Sequence, residues 1–240
     1  MKIVAFTGAG ISKESGLDTF RKGGTWDNLN VRDVAYVDRW WRSDEDRQRM
    51  LDFYNRRRQE VRSAQPNDAH RALAELEKEG HRVTVITQNI DDLHERAGST
   101  RVIHLHGEIM KARPDGDEET LVAWTEDLNL GHLHEEVQLR PHVVWFGEGL
   151  PRFDEAFEAA TDPDVDVLIV VGTTLEVGPA NLCAFCTLAP TVYLVDPDPP
   201  EFFRIDPNSR HGRQRPRPDV RLVAEGAVSG MAKVARELSS

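Results

Sequence analysis

The sequence is poor in cysteine and in long apolar runs, and each shortage excludes a class of protein. Cys183 and Cys186 are its only cysteines, and one pair cannot complete a four-ligand zinc site. No apolar run is long enough to span a bilayer. The N-terminus enters a strand directly, without the layout of a signal peptide. We therefore expect a cytoplasmic protein without a membrane partner.

Excess positive charge is also missing. The formal net charge is −11 over 240 residues, whereas proteins that bind nucleic acid need a basic face for the phosphates. This charge argues against nucleic acid as a main partner, although local basic pockets remain possible. An apolar share of 39% and a charged share of 30% are typical of a globular protein. The oligomeric state stays open.

The two cysteines lie in an apolar run that we predict to be helical from Pro179 to Ala189. A redox Cys-x-x-Cys pair places its first cysteine at a helix start after a strand. Cys183 follows Pro179 by four residues, so it is expected inside the helix. We therefore interpret both cysteines as small buried apolar side chains rather than redox or metal groups.

The chain is organised around its first 21 residues, which predict strand, glycine turn and helix. Lys2–Thr7 is apolar and Gly8-Ala9-Gly10 follows directly. Glycines allow a sharp turn and bring bare backbone close to a ligand, and the N–H groups of the following helix start would face a diphosphate. A strand-to-helix turn can also need glycine for packing alone, so both interpretations stand at this point.

Later segments repeat the strand–loop–helix unit, which predicts a parallel sheet with helices on both faces. The predicted strands are 82–87, 102–107, 166–171, 191–196 and 220–223. Groups suited to a ligand follow the strands, where open α/β sheets bind theirs: Gly8 to Ser12, Gln88 to Asp91, Gly172 to Thr174, and Asp196, whose carboxylate can accept from ribose hydroxyls. The pattern predicts a dinucleotide site.

Two stretches do not fit the sheet and predict a smaller domain over the cleft. Residues 28–63 have helical periodicity, and Glu108 to Gln138 has the composition of surface loops. We therefore predict an α/β fold with a Rossmann-like, doubly wound parallel sheet and a smaller inserted helical and loop domain. The predicted boundaries are 1–27, 64–107 and 140–240 for the dinucleotide-binding domain, and 28–63 and 108–139 for the small domain.

Two pairs of side chains fall within or beside these segments. His104 and His106 alternate along one predicted strand and share a side of it just before Gly107. Such histidines are usually structural, but two of them before a glycine turn make a chemical role a second interpretation. Tyr54 and Arg57 are three residues apart and share a helix face. The alternative for that pair is a solvated basic helix end that complements the helix dipole.

Six motifs, taken together and in order, resemble those of the sirtuin family over nearly the whole chain. They are Gly8-Ala9-Gly10-Ile11-Ser12, Thr19-Phe20-Arg21, Gln88-Asn89-Ile90-Asp91, Leu105-His106-Gly107, Phe146-Gly147-Glu148 and Gly172-Thr173-Thr174. The resemblance implies NAD as cofactor and NAD-dependent removal of acyl groups from protein or peptide lysines, with nicotinamide and O-acyl-ADP-ribose as products.

The resemblance also implies residue roles. His106 matches the general base that takes a proton from the ribose hydroxyls, and Asn89 the residue that holds the ribose and water. Asp91 matches the acceptor for the nicotinamide amide, while Phe20 would shield the reactive sugar and Arg21 would orient it. The full set of cofactor-binding residues implied is Gly8, Ala9, Gly10, Ser12, Phe20, Arg21, Trp26, Gln88, Asn89, Ile90, Asp91, Gly172, Thr173, Thr174, Asp196 and Val228.

The substrate side follows from the same resemblance. An acyl-lysine peptide is expected to add as a strand between Phe146-Gly147-Glu148 and the segment around Val177. Tyr54 and Arg57 resemble the Tyr-x-x-Arg pair of sirtuins that prefer acidic acyl groups, because a guanidinium and a phenol can bind a carboxylate together. We therefore predict succinyl- and malonyl-lysine over acetyl-lysine.

The sequence departs from the family in a few places. Many sirtuins carry four zinc-binding cysteines between the catalytic histidine and the Phe-Gly-Glu segment, but Glu108 to Leu139 has none, and His132 and His134 cannot form a site alone. We predict no structural zinc. Asp18 replaces the usual proline and Asp196 the usual asparagine. His104 stands where an acid is common, and no role is assigned to it.

Two other functions remain possible on the same scaffold. One is ADP-ribosyl transfer or plain NAD hydrolysis, against which the acid-binding Tyr54–Arg57 pair argues. The other is a non-catalytic NAD sensor, against which the intact set of Asn89, Asp91 and His106 argues.

Overall fold

The computed structural model describes residues 1–18, 31–198 and 219–239 of the chain. Within these ranges it has ten strands and eight α-helices. The strands are β1 (Lys2–Thr7), β2 (Arg82–Thr87), β3 (Val102–His104), β4 (Gly107–Pro114), β5 (Val122–Ala123), β6 (Leu133–His134), β7 (Val137–Val143), β8 (Val167–Val171), β9 (Thr191–Val195) and β10 (Asp219–Val223). The helices are α1 (Val31–Val34), α2 (Val37–Trp40), α3 (Asp44–Ser63), α4 (Asp68–Lys78), α5 (Leu93–Ala97), α6 (Phe153–Thr161), α7 (Leu182–Phe185) and α8 (Ala227–Leu238).

A parallel sheet of six strands forms the larger part of the molecule, in the order β10-β9-β8-β1-β2-β3. Alternate residues of β1 point to opposite faces, as the pleat requires. Ile3 and Ala5 pack in a core with α4 and α8, whereas Val4 and Phe6 pack in a core with α6 and α7. Both faces are therefore covered, and the predicted doubly wound α/β fold is confirmed.

The strand order also fixes where a ligand can enter. From β1 the chain adds β2 and β3 on one side, and it later adds β8, β9 and β10 on the other. β1 and β8 are therefore neighbours from which successive connections depart in opposite directions, and the crevice above their carboxyl ends is where such sheets bind ligands. The turns that begin at Gly8 and Gly172 border this crevice.

The stretch predicted as surface loops is instead part of a second sheet. β4 pairs antiparallel with β7 in a four-stranded sheet of order β5-β4-β7-β6. The loop prediction for Glu108 to Gln138 was wrong here, because β4 mixes the buried apolar residues Ile109 and Ala112 with the partly exposed charged residues Glu108 and Lys111. These charged residues give the segment the composition of a loop.

The predicted helical insert is broken into three helices in its described part. Tyr36, which lies between α1 and α2, forms an isolated β-bridge with Phe146. Ser43 caps the start of α3, because its hydroxyl accepts a hydrogen bond from the backbone N–H of Asp46 at 3.1 Å. A core shared with β4 and β7 joins the three helices to the second sheet. No helix in the described ranges is long and apolar enough to cross a membrane.

The helix predicted from Pro179 to Ala189 is reduced to the four residues of α7. Cys183 is buried in α7, as expected, whereas Cys186 follows the helix and is exposed. The prediction of two buried cysteines was therefore wrong for Cys186, because the helix ends before that residue can turn into the core.

Candidate active site

The two glycine turns at the crevice pack directly against each other. Gly8 N–H donates to the carbonyl of Val171 at 3.1 Å, and Gly10 N–H donates to the carbonyl of Gly172 at 2.8 Å. A Cβ on Gly10 would lie 2.6 Å from the Cα of Gly172, so the close approach itself requires glycine. Ile11 N–H bonds to the carbonyl of Gly8. The amides of Gly8, Gly10 and Ile11 are therefore bonded within the protein, and the anion-binding role of the helix start stays a prediction.

Ser12 is the centre of a buried hydrogen-bond network beneath the first turn. Its hydroxyl donates to Asp91 Oδ2 at 3.0 Å and accepts from Asn89 Nδ2 at 3.1 Å. His70 Nδ1 accepts from the N–H of Asn67 at 3.3 Å, so its Nε2 carries the proton and faces Ser12 Oγ at 3.4 Å. Three predicted cofactor residues, Ser12, Asn89 and Asp91, are therefore held by one another.

A second row of buried polar groups supports this network. Thr7 Oγ1 donates to Thr87 Oγ1 at 2.8 Å and contacts His94 Nε2 at 3.1 Å. Thr87 Oγ1 accepts from the N–H of Asn89 at 3.0 Å. Neither His70 nor His94 was expected at the site from the sequence. The spacing of Asn67 and His70, which form a capping box, was the available signal for His70.

His106, the predicted base, lies just after β3 with one ring nitrogen fixed. Its Nδ1 is 2.8 Å from the carbonyl oxygen of Gln88. Since a carbonyl can only accept, Nδ1 carries the proton and Nε2 of the neutral ring has the free lone pair. Burial lowers the pKa of His106 below its ordinary value. The ring is therefore neutral at pH 7, the form that a general base needs.

The remaining predicted cofactor residues in the described ranges lie at the same edge of the main sheet or beside it. Gln88 Nε2 donates to Thr173 Oγ1 at 3.0 Å, which joins the ends of β2 and β8. Asp196 is buried at the end of β9 and accepts from the N–H of Asp198 at 2.9 Å. Val228 N–H donates to Glu14 Oε1 at 3.1 Å. Ala9 is the first residue of the 3-10 helix Ala9–Ser15. The carbonyl of Ile90 accepts a hydrogen bond from the N–H of Ile109. The hydroxyl of Thr174 donates a hydrogen bond to the carboxylate of Glu176.

Tyr54 and Arg57 lie on α3 as predicted, but their environments differ. Tyr54 is buried and its ring centroid is 6.1 Å from that of Trp145. Burial raises the pKa of Tyr54, so the phenol keeps its proton and can donate. The Arg57 side chain is 13% exposed, and its Nη1 is paired with Glu60 Oε2 at 2.6 Å. The arginine therefore has a carboxylate partner within its own helix.

The predicted peptide-binding segments offer exposed apolar side chains. Phe146 is 48% exposed and Val177 is 39% exposed. Gly147 has a φ of +95°, a conformation that favours glycine. Glu148 is different, because its side chain is only 12% exposed and is bound to Arg140 and Arg113. The carboxylate of Glu148 therefore attaches the Phe146-Gly147-Glu148 segment to buried arginines of the protein.

Three predicted cofactor residues, Phe20, Arg21 and Trp26, lie outside the described residues. Within the described ranges, no group of three or more His, Cys, Asp or Glu side chains is arranged to hold a metal ion.

A family model described as "Sir2 family" matches residues 8–179. The chain belongs to the Sir2 family. This confirms the resemblance to sirtuins found in the sequence. Among curated relatives of this Sir2 protein, a Helicobacter pylori protein named NAD-dependent protein deacylase is 46% identical over 198 residues, which cover 81% of this chain and 82% of the relative. A protein of the same name from Bacteroides thetaiotaomicron is 41% identical over 206 residues, 82% of this chain and 86% of the relative.

Solved structures agree with this assignment. A Sir2 homologue in complex with ADP-ribose is 33% identical and superimposes with a TM-score of 0.83 over 99% of this chain and 91% of the other. A complex of a Sir2 homologue with NAD is 34% identical, with a TM-score of 0.80 over 99% of this chain and 89% of the other.

The donors and acceptors of this Sir2 protein fit NAD. The crevice between β1 and β8 is the position at which a doubly wound sheet binds a dinucleotide. Asp91 uses one hydrogen bond on each carboxylate oxygen, from Leu93 N–H and from Ser12. A carboxylate has about four acceptor positions, so Asp91 can still accept from an amide.

Proposed function

We propose that this Sir2 protein removes acyl groups from protein lysines with NAD as co-substrate, and that it prefers succinyl and malonyl groups over acetyl. The observation that best supports the chemistry is the hydrogen bond from His106 Nδ1 to the Gln88 carbonyl at 2.8 Å. It presents Nε2 as a base beside the loop of Asn89 and Asp91. The relatives named NAD-dependent protein deacylase support the reaction class.

NAD, when bound, supplies an anomeric carbon that becomes electrophilic as nicotinamide leaves. His106 would take a proton at Nε2 from a ribose hydroxyl. An imidazole whose pKa is lowered by burial is neutral and able to do so at pH 7. The charge that forms on the ring is stabilised by the Gln88 carbonyl at Nδ1.

Asn89 and Asp91 would orient the cofactor. Both are bound to Ser12, at 3.1 Å and 3.0 Å, so neither side chain is free to turn away. Positions fixed before the cofactor arrives reduce the entropy lost on binding. Asp91 would accept from the nicotinamide amide, and Asn89 would hold the ribose side.

The acyl preference rests on Tyr54 and Arg57. A protonated phenol and a guanidinium can bind one carboxylate through several hydrogen bonds, and such charge-assisted bonds are strongest where water is excluded. Tyr54 is buried and Arg57 is 13% exposed, so the pair meets this condition. Because Nη1 of Arg57 is paired with Glu60, the acyl carboxylate would bind the other N–H groups of the guanidinium. A neutral acetyl group gains nothing from Arg57.

The peptide would lie along Phe146-Gly147-Glu148 and the segment around Val177. Their exposed apolar side chains can cover the lysine stem, and extended backbone can add to them as a strand. Among the solved relatives, one Sir2 structure contains a deacetylated p53 peptide, which supports a peptide as substrate.

The test is a panel of succinyl-, malonyl- and acetyl-lysine peptides, with and without NAD, in which products are identified by mass. Arg57→Met should lose about tenfold to a hundredfold in kcat/KM on the two acidic peptides, as the loss of a hydrogen bond to charge predicts, and should keep its acetyl rate. Arg57→Lys retains the charge without the guanidinium fork and is the matched control, with an intermediate loss.

The same panel separates the alternatives. O-acyl-ADP-ribose as product supports deacylation, whereas ADP-ribose attached to protein supports transfer and free ADP-ribose alone supports NAD hydrolysis. An equal loss on all three peptides in Arg57→Met would contradict the carboxylate-binding role of Arg57.

A further inference from the structure

His104, to which neither the sequence nor the proposed chemistry assigns a role, is held on both ring nitrogens. Its Nδ1 lies 3.0 Å from the carbonyl oxygen of Asn89, and its Nε2 lies 2.8 Å from Glu95 Oε1. The side chain is 3% exposed. One residue thus connects β3, helix α5 and the loop that carries the proposed cofactor residues.

These two partners determine the protonation of the ring. A carbonyl oxygen can only accept, and so can an ionised carboxylate. Both ring nitrogens must therefore donate, which makes His104 an imidazolium paired with Glu95. Burial alone lowers the pKa of His104, but the hydrogen bond and the charge of Glu95 outweigh it, and the net pKa is raised. Despite its own burial, Glu95 has a lowered pKa because of His104.

Other charged groups around the ring either change the pKa values of His104 and Glu95 or have their own pKa shifted by the charge of His104. Glu108 on β4 adds to the raised pKa of His104. Lys111 on the same strand lowers the pKa of Glu95. Burial lowers the pKa of His94, and the imidazolium lowers it further. Burial raises the pKa of Asp91, whereas the positive charge of His104 opposes that shift.

The imidazolium therefore acts on the cofactor loop in two ways. Its Nδ1–H fixes the carbonyl of Asn89, and with it the peptide plane between Asn89 and Ile90. Its charge favours the carboxylate form of Asp91, the form that accepts hydrogen bonds. His106 makes the equivalent contact one residue earlier, to the carbonyl of Gln88. The two histidines hold consecutive peptide groups of the same loop.

We propose that His104 and Glu95 are a positioning pair for the cofactor site: the imidazolium holds the Asn89 backbone, so that NAD is bound well only while the ring carries both protons. The proposal rests on the proposed function of Asn89 and Asp91. It predicts an alkaline loss of NAD affinity that belongs to His104.

The test uses Glu95→Gln in the full-length chain. An amide of nearly the same shape keeps a hydrogen-bonding group at Nε2 but removes the negative charge, so the ring should lose its proton at lower pH. KM for NAD and kcat are measured from pH 6 to 10 on an acyl-lysine peptide. KM of the parent should rise as pH passes the raised pKa of His104. In Glu95→Gln the rise should begin about one pH unit lower, which corresponds to a KM about fivefold higher than that of the parent at the midpoint of the parent.

The control is Glu155→Gln, which removes the carboxylate of an exposed pair with Arg152 on α6. It should leave both KM and its pH dependence unchanged. His104→Gln is the second variant, and its KM should be high at every pH, with the alkaline rise abolished. A merely structural role would lower stability in Glu95→Gln without moving the pH dependence of KM.

A ¹⁵N NMR titration of the free protein follows the His104 ring directly, and calorimetric NAD affinity against pH needs no turnover. Either a neutral His104 ring at pH 7, or a Glu95→Gln pH dependence equal to that of the parent, overturns the proposal. Absence of acyl removal from every peptide would contradict the proposed function alone, because the NMR and calorimetric measurements would still decide the role of His104.

Discussion

Glu148 accepts two hydrogen bonds from the guanidinium of Arg140, at 2.6 Å from Nη1 and 3.0 Å from Nη2. The same carboxylate accepts from the backbone N–H of Trp145 at 2.7 Å and from Arg113 Nη2 at 3.3 Å. The Arg140 guanidinium also stacks on the Trp145 ring, 3.4 Å from its centroid. The Glu148–Arg140 pair therefore fixes the segment proposed to bind peptide. The Trp145 ring on which Arg140 stacks also packs beside the ring of Tyr54.

Replacing Glu148 should therefore cost much more than the loss of an ordinary ion pair. Glu148→Gln leaves the buried guanidinium of Arg140 without its paired carboxylate and leaves Arg113 with Glu118 alone, at 3.5 Å, and breaking a buried pair costs about 3–5 kcal/mol. Urea unfolding should show this loss of free energy of unfolding. Glu155→Gln, at the exposed pair with Arg152, should lose under about 1 kcal/mol. A loss of that small size in Glu148→Gln would show that the buried pair contributes little.

A methyl group on the first glycine turn should disrupt the crevice. The Cβ of Gly10→Ala would lie 2.6 Å from the Cα of Gly172, and backbone on both sides leaves no flexible atom to move. We expect a loss of about 1–3 kcal/mol, as for overpacked sites, together with weakened NAD binding measured by calorimetry. Gly149→Ala is the control, since no heavy atom lies within 4 Å of its added Cβ. Equal behaviour of the two variants would contradict the packing argument.

The sequence was sufficient for the main sheet because each buried parallel strand is a short apolar run that ends in polar or glycine residues. It was not sufficient for β4, because charged residues such as Glu108 and Lys111 lie between its buried apolar residues and give it the composition of a loop. The contacts of the site also escaped prediction. That Ser12 joins Asn89 and Asp91 depends on how β1 and β2 align, and spacing along the chain does not encode that register.

Stability should fall as the pH drops below about 6.5, the ordinary pKa of histidine. Burial lowers the pKa of His70 to about 4, and burial likewise lowers those of His94 and His142. The unfolded chain then binds protons that the folded chain does not, so stability is lost as pH falls toward the folded pKa. For His70 alone the loss reaches about 3 kcal/mol by pH 4.

His104 makes the opposite contribution. Its raised pKa stabilises the fold below about pH 6.5, and this contribution is lost as pH rises through the folded value. Urea unfolding at a series of pH values checks both directions, and the histidine NMR titration assigns them. A free energy of unfolding that stays constant from pH 7 to pH 4 would contradict the buried neutral state of His70.

Activity should depend on a neutral His106. Burial lowers its pKa, so kcat/KM should rise through a pKa below about 6.5 and then reach a plateau before the alkaline loss that we attribute to His104. His106→Gln should lose about 10²–10⁴-fold in kcat, the usual contribution of a general base. It should still bind NAD in calorimetry, since Asn89 and Asp91 are unchanged. Activity equal to that of the parent would contradict the role of base.

The purified protein should contain no stoichiometric zinc. The sequence between Glu108 and Leu139 has no cysteine, and in the described part of that region β4 and β7 are joined by backbone pairing and by the charges of Arg113, Arg140 and Glu148. Elemental analysis by mass spectrometry checks the metal content, and thermal unfolding with and without a strong chelator checks its effect. The melting temperature should not change with chelator. One zinc per chain, or a melting temperature lowered by several degrees, would show that a metal holds this region instead.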